Sequence, residues 1–223
     1  MNPVETAYAP TFNDARSWSF ALHSMKGTLY TGGELTDLAT FARLPVYLQA
    51  FLREQNGAVA YFGGLHLRGC VAEPTWHSLG AAWQGPAAFW RTYEDVLEAD
   101  IPFGQDCVGN QFLLRGDAVL LLDTETGELA DLEVDFKHFL FGVEKYPVDA
   151  LGMEPLRGFQ LQGGVLQPGQ LLKVFPPFCI AINSGKPPTL EAVGIADRLA
   201  WLADFYHKIK DLPDGQTVQL TAE

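Results

Sequence analysis

The stretch Leu44–Ala58, LPVYLQAFLREQNGA, reads as one helix with a built-in start and stop. Pro45 suits the first helical position, where its missing N–H would be unbonded in any case. Tyr47, Leu48, Phe51 and Leu52 then recur at helical spacing and define an apolar face. Asn56-Gly57 closes the pattern, because both residue types tolerate the left-handed conformation that ends helices. The four apolar residues are core candidates; nothing in their spacing suggests a cofactor site.

Outward from this helix the pattern alternates. Residues 36–42 form a short helix with Leu35, Leu38 and Phe41 on one side, and Phe20, Leu22 and Met25 mark a short element before it. Val59, Tyr61, Phe62, Leu65 and Leu67 read as strand and turn, and residues 69–85, with Pro74, Gly80 and Gly85, as loop. Pro86 opens a second helix carrying Phe89, Trp90, Tyr93, Val96 and Leu97, which Ile101-Pro102-Phe103 ends. Gln111–Leu114, Ala118–Leu122 and Glu128–Val134 form three strands joined at Arg115-Gly116-Asp117 and Thr124-Glu125-Thr126-Gly127. Asp135 caps a helix with Phe136, Phe139, Leu140 and Val143 inside. From Phe159 to Asn183 short apolar runs are broken by Gly-Gly, Pro-Gly and Pro-Pro, which gives strands and turns. Thr189–Lys210 is a long helix with Ile195, Leu199, Leu202, Tyr206 and Ile209 as its stripe and Asp197, Arg198, Asp204 and Lys208 opposite. This order predicts an α+β fold with a mixed, largely antiparallel sheet and helices on one face.

The chain has 223 residues, 48% of them hydrophobic, which is enough for a substantial core. Cys70, Cys107 and Cys179 are few and scattered, as buried free thiols would be, and form no disulfide framework. No apolar run approaches the roughly 18 residues of a membrane span. The first residues, MNPVETAYAPTFNDAR, lack a basic flank followed by an apolar block, so a cytoplasmic protein is expected.

The formal net charge is −12, and 12 acidic residues against Arg115 alone fall between Glu94 and Asp135. The other 181 residues hold 15 acidic and 14 basic groups. Such a segment repels nucleic acid and anionic membranes and attracts basic partners, or it serves only as a solubilising surface. Glu94, Asp95, Glu98, Asp100, Glu125, Glu128, Asp131 and Glu133 are the candidate partner-binding residues.

Signatures of catalysis are weak. His23, His66, His77, His138 and His207 are not spaced as metal ligands, and no metal or cofactor is expected. Trp76-His77-Ser78-Leu79-Gly80 has tryptophan where a nucleophile elbow needs its first glycine. Gly163–Gly169 lacks the lysine of a phosphate loop. A hydrolase with a site dispersed over the chain stays open as an alternative, with paired carboxylates as its material.

The pattern P-x-Y-x-x-x-F-L-x-x-x-N-G, formed by Pro45, Tyr47, Phe51-Leu52 and Asn56-Gly57, resembles the first helix signature of the SUKH superfamily. Ile101-Pro102-Phe103, Gly109-Asn110-Gln111-Phe112, Val119–Asp123 with Thr126-Gly127-Glu128, and Asp135-Phe136 with Phe139-Leu140 are similar to its later elements, in the same order. Ala58 stands where the family often has a second glycine. The resemblance covers roughly 100 residues, from Leu44 to Phe141. It implies an α+β domain with a core of about 34–145; the segment after about Tyr146 matches none of the family's core elements and is expected to be a strand-and-helix extension of the same domain, about 146–223, packed on that core. It further implies a non-enzymatic, protein-binding role: an immunity protein that neutralises a cognate bacterial toxin with a basic surface, such as a nuclease, or a regulatory scaffold like the fungal cell-wall synthesis regulators of the superfamily. The motif residues Pro45, Tyr47, Phe51, Asn56 and Gly57 are structural in this reading.

Overall fold

The computed structural model describes residues 25–180, 187–213 and 215, so Phe20 and Leu22 lie outside the described residues. Seven strands form one sheet in chain order: β1 (Tyr30–Thr31), β2 (Ala58–Ala60), β3 (Leu65–Leu67), β4 (Ile101–Asp106), β5 (Gln111–Arg115), β6 (Ala118–Leu122) and β7 (Leu129–Asp135). Every neighbouring pair is antiparallel, so the sheet is a simple meander and the fold is α+β. Two helices precede β2, α1 (Leu38–Ala42) and α2 (Val46–Glu54), and α3 (Leu79–Gln84) lies between β3 and β4. After β7 come α4 (Phe136–Lys145), α5 (Pro147–Ala150), α6 (Glu154–Leu161), the antiparallel pair β8 (Gln170–Phe175) and β9 (Thr189–Gly194), and α7 (Ile195–Ile209).

The pleat sorts the core. Phe112 pairs with Leu121 and Leu114 with Val119, and these residues face the helices α2 and α4. The Phe136 ring meets Phe51 at 5.2 Å and Phe103 at 5.1 Å, both edge to face, and Phe139 lies 4.7 Å from Phe112. Leu113, Leu120 and Leu122 point the other way and are covered by Phe89, Tyr93, Val96 and the α7 residue Tyr206. Both faces of the central strands β4, β5 and β6 are therefore largely buried, beyond the single helix-covered face expected from sequence. The residues after α4 join the same core: Leu166, Leu172 and Val174 belong to the main cluster, and the Leu172 amide donates to the Cys107 carbonyl at 2.8 Å.

The opening stretch folds much as read. Leu48, Phe51 and Leu52 are buried, while Tyr47 is half-buried and its hydroxyl donates to the Gly116 carbonyl at 3.2 Å. Pro45 is the cap residue just before the helix, one position earlier than expected. Gly57 adopts φ +79°, and a Cβ there would lie 2.6 Å from the His77 ring and from the Leu67 carbonyl. Asn56 is more than a stop. Its side-chain nitrogen donates to the Gly33 and Glu34 carbonyls at 3.1 and 3.0 Å, and its Oδ1 accepts from the Cys70 amide at 2.8 Å. Its carbonyl accepts from His77 Nε2 at 3.1 Å, which leaves His77 Nδ1 to accept from His66 Nε2 at 2.9 Å. Burial lowers the pKa of both imidazoles, so the pair is neutral.

Several elements differ from the sequence reading, each for a tertiary reason. Residues 79–84, expected in a loop, are helical because Ser78 Oγ accepts from the Ala81 amide and Leu79 and Trp83 are buried. The helix expected from Pro86 is a single 3₁₀ turn at Phe89–Arg91. Its apolar residues still reach the sheet, but side chains satisfy its backbone: Trp83 Nε1 donates to the Glu98 carbonyl and Asp100 Oδ2 accepts from the Leu97 amide. Ile101-Pro102-Phe103 opens β4, and residues 189–194 are strand β9, so the last helix begins at Ile195. Arg198 is buried instead of facing solvent, and Cys179 is exposed instead of buried.

Asn56→Ala removes three hydrogen bonds and leaves the buried Cys70 amide without its acceptor, and at about 1 kcal/mol for each bond lost it is expected to cost about 3 kcal/mol. Thermal unfolding then shifts down by roughly 6–12 °C for a chain of this size. Asn56→Asp is expected to be at least as damaging, because it turns the donor facing two carbonyls into an acceptor. An unchanged melting midpoint in either variant contradicts the central role of Asn56.

Candidate functional site

The acidic segment divides into carboxylates inside the fold and carboxylates on its surface. Asp100 is 2% exposed, and its oxygens accept from Arg115 Nε at 2.9 Å and Nη2 at 2.7 Å. The same guanidinium donates to the Asp95 carbonyl, and its hydrogen bonds to Asp100 raise its pKa. Glu125 is 4% exposed; its Oε2 accepts from the Cys179 amide at 3.1 Å, and Oε1 lies 3.8 Å from Arg198 Nη2. Burial pushes the Glu125 carboxyl up and the Arg198 guanidinium down. Arg198 also donates from Nε to the Val108 carbonyl at 3.2 Å, so α7 is fastened to the β4–β5 turn. Asp100 and Glu125, expected as partner-binding residues, are thus spent on internal contacts. The reason is the cost of an unpaired buried carboxylate, which Arg115 and Arg198 relieve together with the Leu97 and Cys179 amides.

The remaining six candidates, Glu94, Asp95, Glu98, Glu128, Asp131 and Glu133, are exposed, but the structure does not bring them together. Glu94 pairs with Lys210, which lowers its pKa, and belongs with Asp95 and Glu98 to the segment covering one sheet face. Glu128 sits at the β6–β7 turn. Asp131 and Glu133 lie on β7, the edge strand of the sheet. There they line a groove of about 500 Å³ with Asp117, Asp135 and His138. Among the described residues, Asp117, Asp131 and Glu133 form no ion pair, while Asp135 caps α4 and lies 2.9 Å from His138 Nδ1. Asp117 and Asp135 were visible only as a turn residue and a helix cap; their contribution to the groove depends on strand pairing.

The groove is shaped by an irregularity in β7. Ala118 pairs with Asp135 and Leu120 with Asp131, so β7 carries two more residues than β6 across the same span. Glu133 occupies the extra turn at φ +57°, and Asp131 Oδ1 accepts its amide at 2.7 Å. Bulges and charges are the ordinary means by which an edge strand avoids unwanted pairing. Here they also spread carboxylates along a strand that has only one neighbour in the sheet among the described residues. Among the described residues no three His, Cys, Asp or Glu side chains are grouped to hold a metal ion. Ser78 of the elbow-like segment is 5% exposed and occupied as a helix cap.

A non-glycine residue in the left-handed region carries a conformational cost that glycine avoids. Glu133→Gly is therefore expected to raise stability by up to about 1 kcal/mol, and Glu133→Val to lower it by a similar or larger amount, as read from denaturant midpoints. A loss of stability in Glu133→Gly contradicts the assigned geometry of the bulge.

Compared with protein-family models and with curated proteins, the chain matches none of them.

Proposed function

We propose that the chain is a non-enzymatic, protein-binding domain of SUKH type, acting as an immunity protein that binds and neutralises a basic toxin domain in the cytoplasm. The observation that carries this reading is the groove on the free edge of the sheet, where Asp117, Asp131 and Glu133 have no cation beside them among the described residues. Carboxylates set this close repel each other, so a partner that brings lysine or arginine side chains gains attraction and relieves repulsion together. A nuclease offers such a surface in the face that grips phosphates. The ordered motifs from Pro45 to Leu140 support the same reading through their resemblance to the superfamily. Glu94, Asp95, Glu98 and Glu128 add to the long-range field that steers a basic partner but lie apart from the groove.

The test uses the native host. Immobilised full-length protein is expected to retain a basic protein whose gene, expressed alone, arrests growth and, co-expressed with this chain, does not. Retention should fall at least tenfold in Asp117→Lys/Asp131→Lys/Glu133→Lys, and moderate salt should release the partner, because exposed charge pairs are screened over about 10 Å at 0.1 M. Undiminished binding by the triple variant rules out the groove. A retained partner that is harmless alone favours a regulatory scaffold over immunity.

A further inference from the structure

A second concavity, of about 430 Å³, lies where the residues after α4 meet the sheet. Its floor is apolar, formed by Phe112 and Leu121, which pair across β5 and β6. Asp149 of α5 and Glu154 of α6 stand at its rim and are exposed, and Phe178, 56% exposed, flanks it. At the back is Asp106, 6% exposed. Its Oδ1 accepts from the Val108, Gly109 and Asn110 amides at 2.9, 2.8 and 2.9 Å, while its Oδ2 accepts from Asn110 Nδ2 at 3.0 Å. Burial pushes this carboxyl up to about 6, so near neutral pH it is largely ionised in a setting that favours its neutral form. Among the described residues no lysine or arginine lines the cavity.

Three properties decide what such a cavity takes. Its volume falls in the range of small-molecule sites, about 300–1,000 Å³. Its apolar floor favours a hydrocarbon or aromatic stem. Its three carboxyls disfavour anions and favour a cation, and an approaching positive charge also stabilises the ionised form of Asp106. The geometry points to a binding site for an organic cation, an ammonium or guanidinium on an apolar stem, seated on Phe112 and Leu121 with its head toward Asp106, Asp149 and Glu154. This site is separate from the acid-walled groove on β7 and does not depend on the toxin-binding reading. Two sources share its chemistry: a free amine, or a lysine or arginine side chain of a bound protein.

The test is an amide-shift titration of the isotopically labelled full-length chain. The probes are phenethylamine, its neutral and anionic counterparts 2-phenylethanol and phenylacetate, and the capped tripeptides acetyl-Gly-Lys-Gly-amide and acetyl-Gly-Arg-Gly-amide. Saturable shifts at Val108, Gly109, Asn110 and Gly152 are expected with at least one cationic probe, at concentrations at least tenfold lower than 2-phenylethanol requires, and none with phenylacetate. Asp149→Asn/Glu154→Gln changes only exposed side chains and is expected to weaken cation binding at least fivefold. Tighter binding of phenethylamine identifies a free amine as the ligand, and tighter binding of a tripeptide identifies a side chain. The site is overturned if no cationic probe saturates, if 2-phenylethanol binds as well, or if the double variant binds cations unchanged.

Discussion

A charge is costly in a protein interior unless partners there offset its lost hydration, and this constraint fixes how the parts of the chain dock. Arg68, 3% exposed, shows it most plainly. No carboxylate pairs with it among the described residues; its Nη1 donates to the Pro102 and Gly104 carbonyls and its Nη2 to Gln105 and Gln111 Oε1, both at 2.6 Å. Burial pulls its pKa down to about 9, so it is still protonated at neutral pH, and β3, β4 and β5 are held in register around it. Asp100 with Arg115 fastens the covering segment to β5, and Glu125 with Arg198 fastens α7 to the β6–β7 turn. Asp106 shapes the β4–β5 turn by accepting three successive amides.

The same constraint separates two kinds of acidic residue that look alike in the sequence. Net charge and spacing mark Glu94 to Asp135 as one block. Folding turns part of it into internal ties and leaves part in water, and the latter forms the protein's acidic surface. The groove on β7 takes its character from this division: among the described residues Asp131 and Glu133 form no ion pair, whereas Asp100 and Glu125 each meet an arginine.

What was legible in the sequence was local. Ala118–Leu122 is a continuous apolar run bounded by turns, and the strand has those bounds. Asp135 was readable as a cap because its donor, the His138 amide, is three residues away. Asn56-Gly57 announced a chain reversal, but not the ties to Gly33, Glu34 and Cys70, which lie on other segments. The helix at 79–84 was hidden by Gly80, whose missing Cβ admits Asp37 Oδ2 and Thr40 Oγ1. The spacing of Phe89, Tyr93 and Val96 imitates a helix, yet the three are set by the sheet surface they cover. Arg198 looked like part of a polar helix face because its partners, Val108 and Glu125, are remote in sequence. The groove and the second cavity were illegible for the same reason: both are made by strand pairing and docking of distant segments.

The division of the acidic segment into frame and surface is tested most directly by thermal unfolding of two sets of amide variants. Converting Glu94, Asp95, Glu98, Glu128, Asp131 and Glu133 together to Gln or Asn should leave the melting midpoint unchanged or raise it, since mutual repulsion is relieved. Asp100→Asn and Glu125→Gln should each lower it by roughly 5 °C or more, because each leaves a guanidinium without its counter-charge. A fall in the six-fold surface variant as large as in the two buried ones would contradict the division.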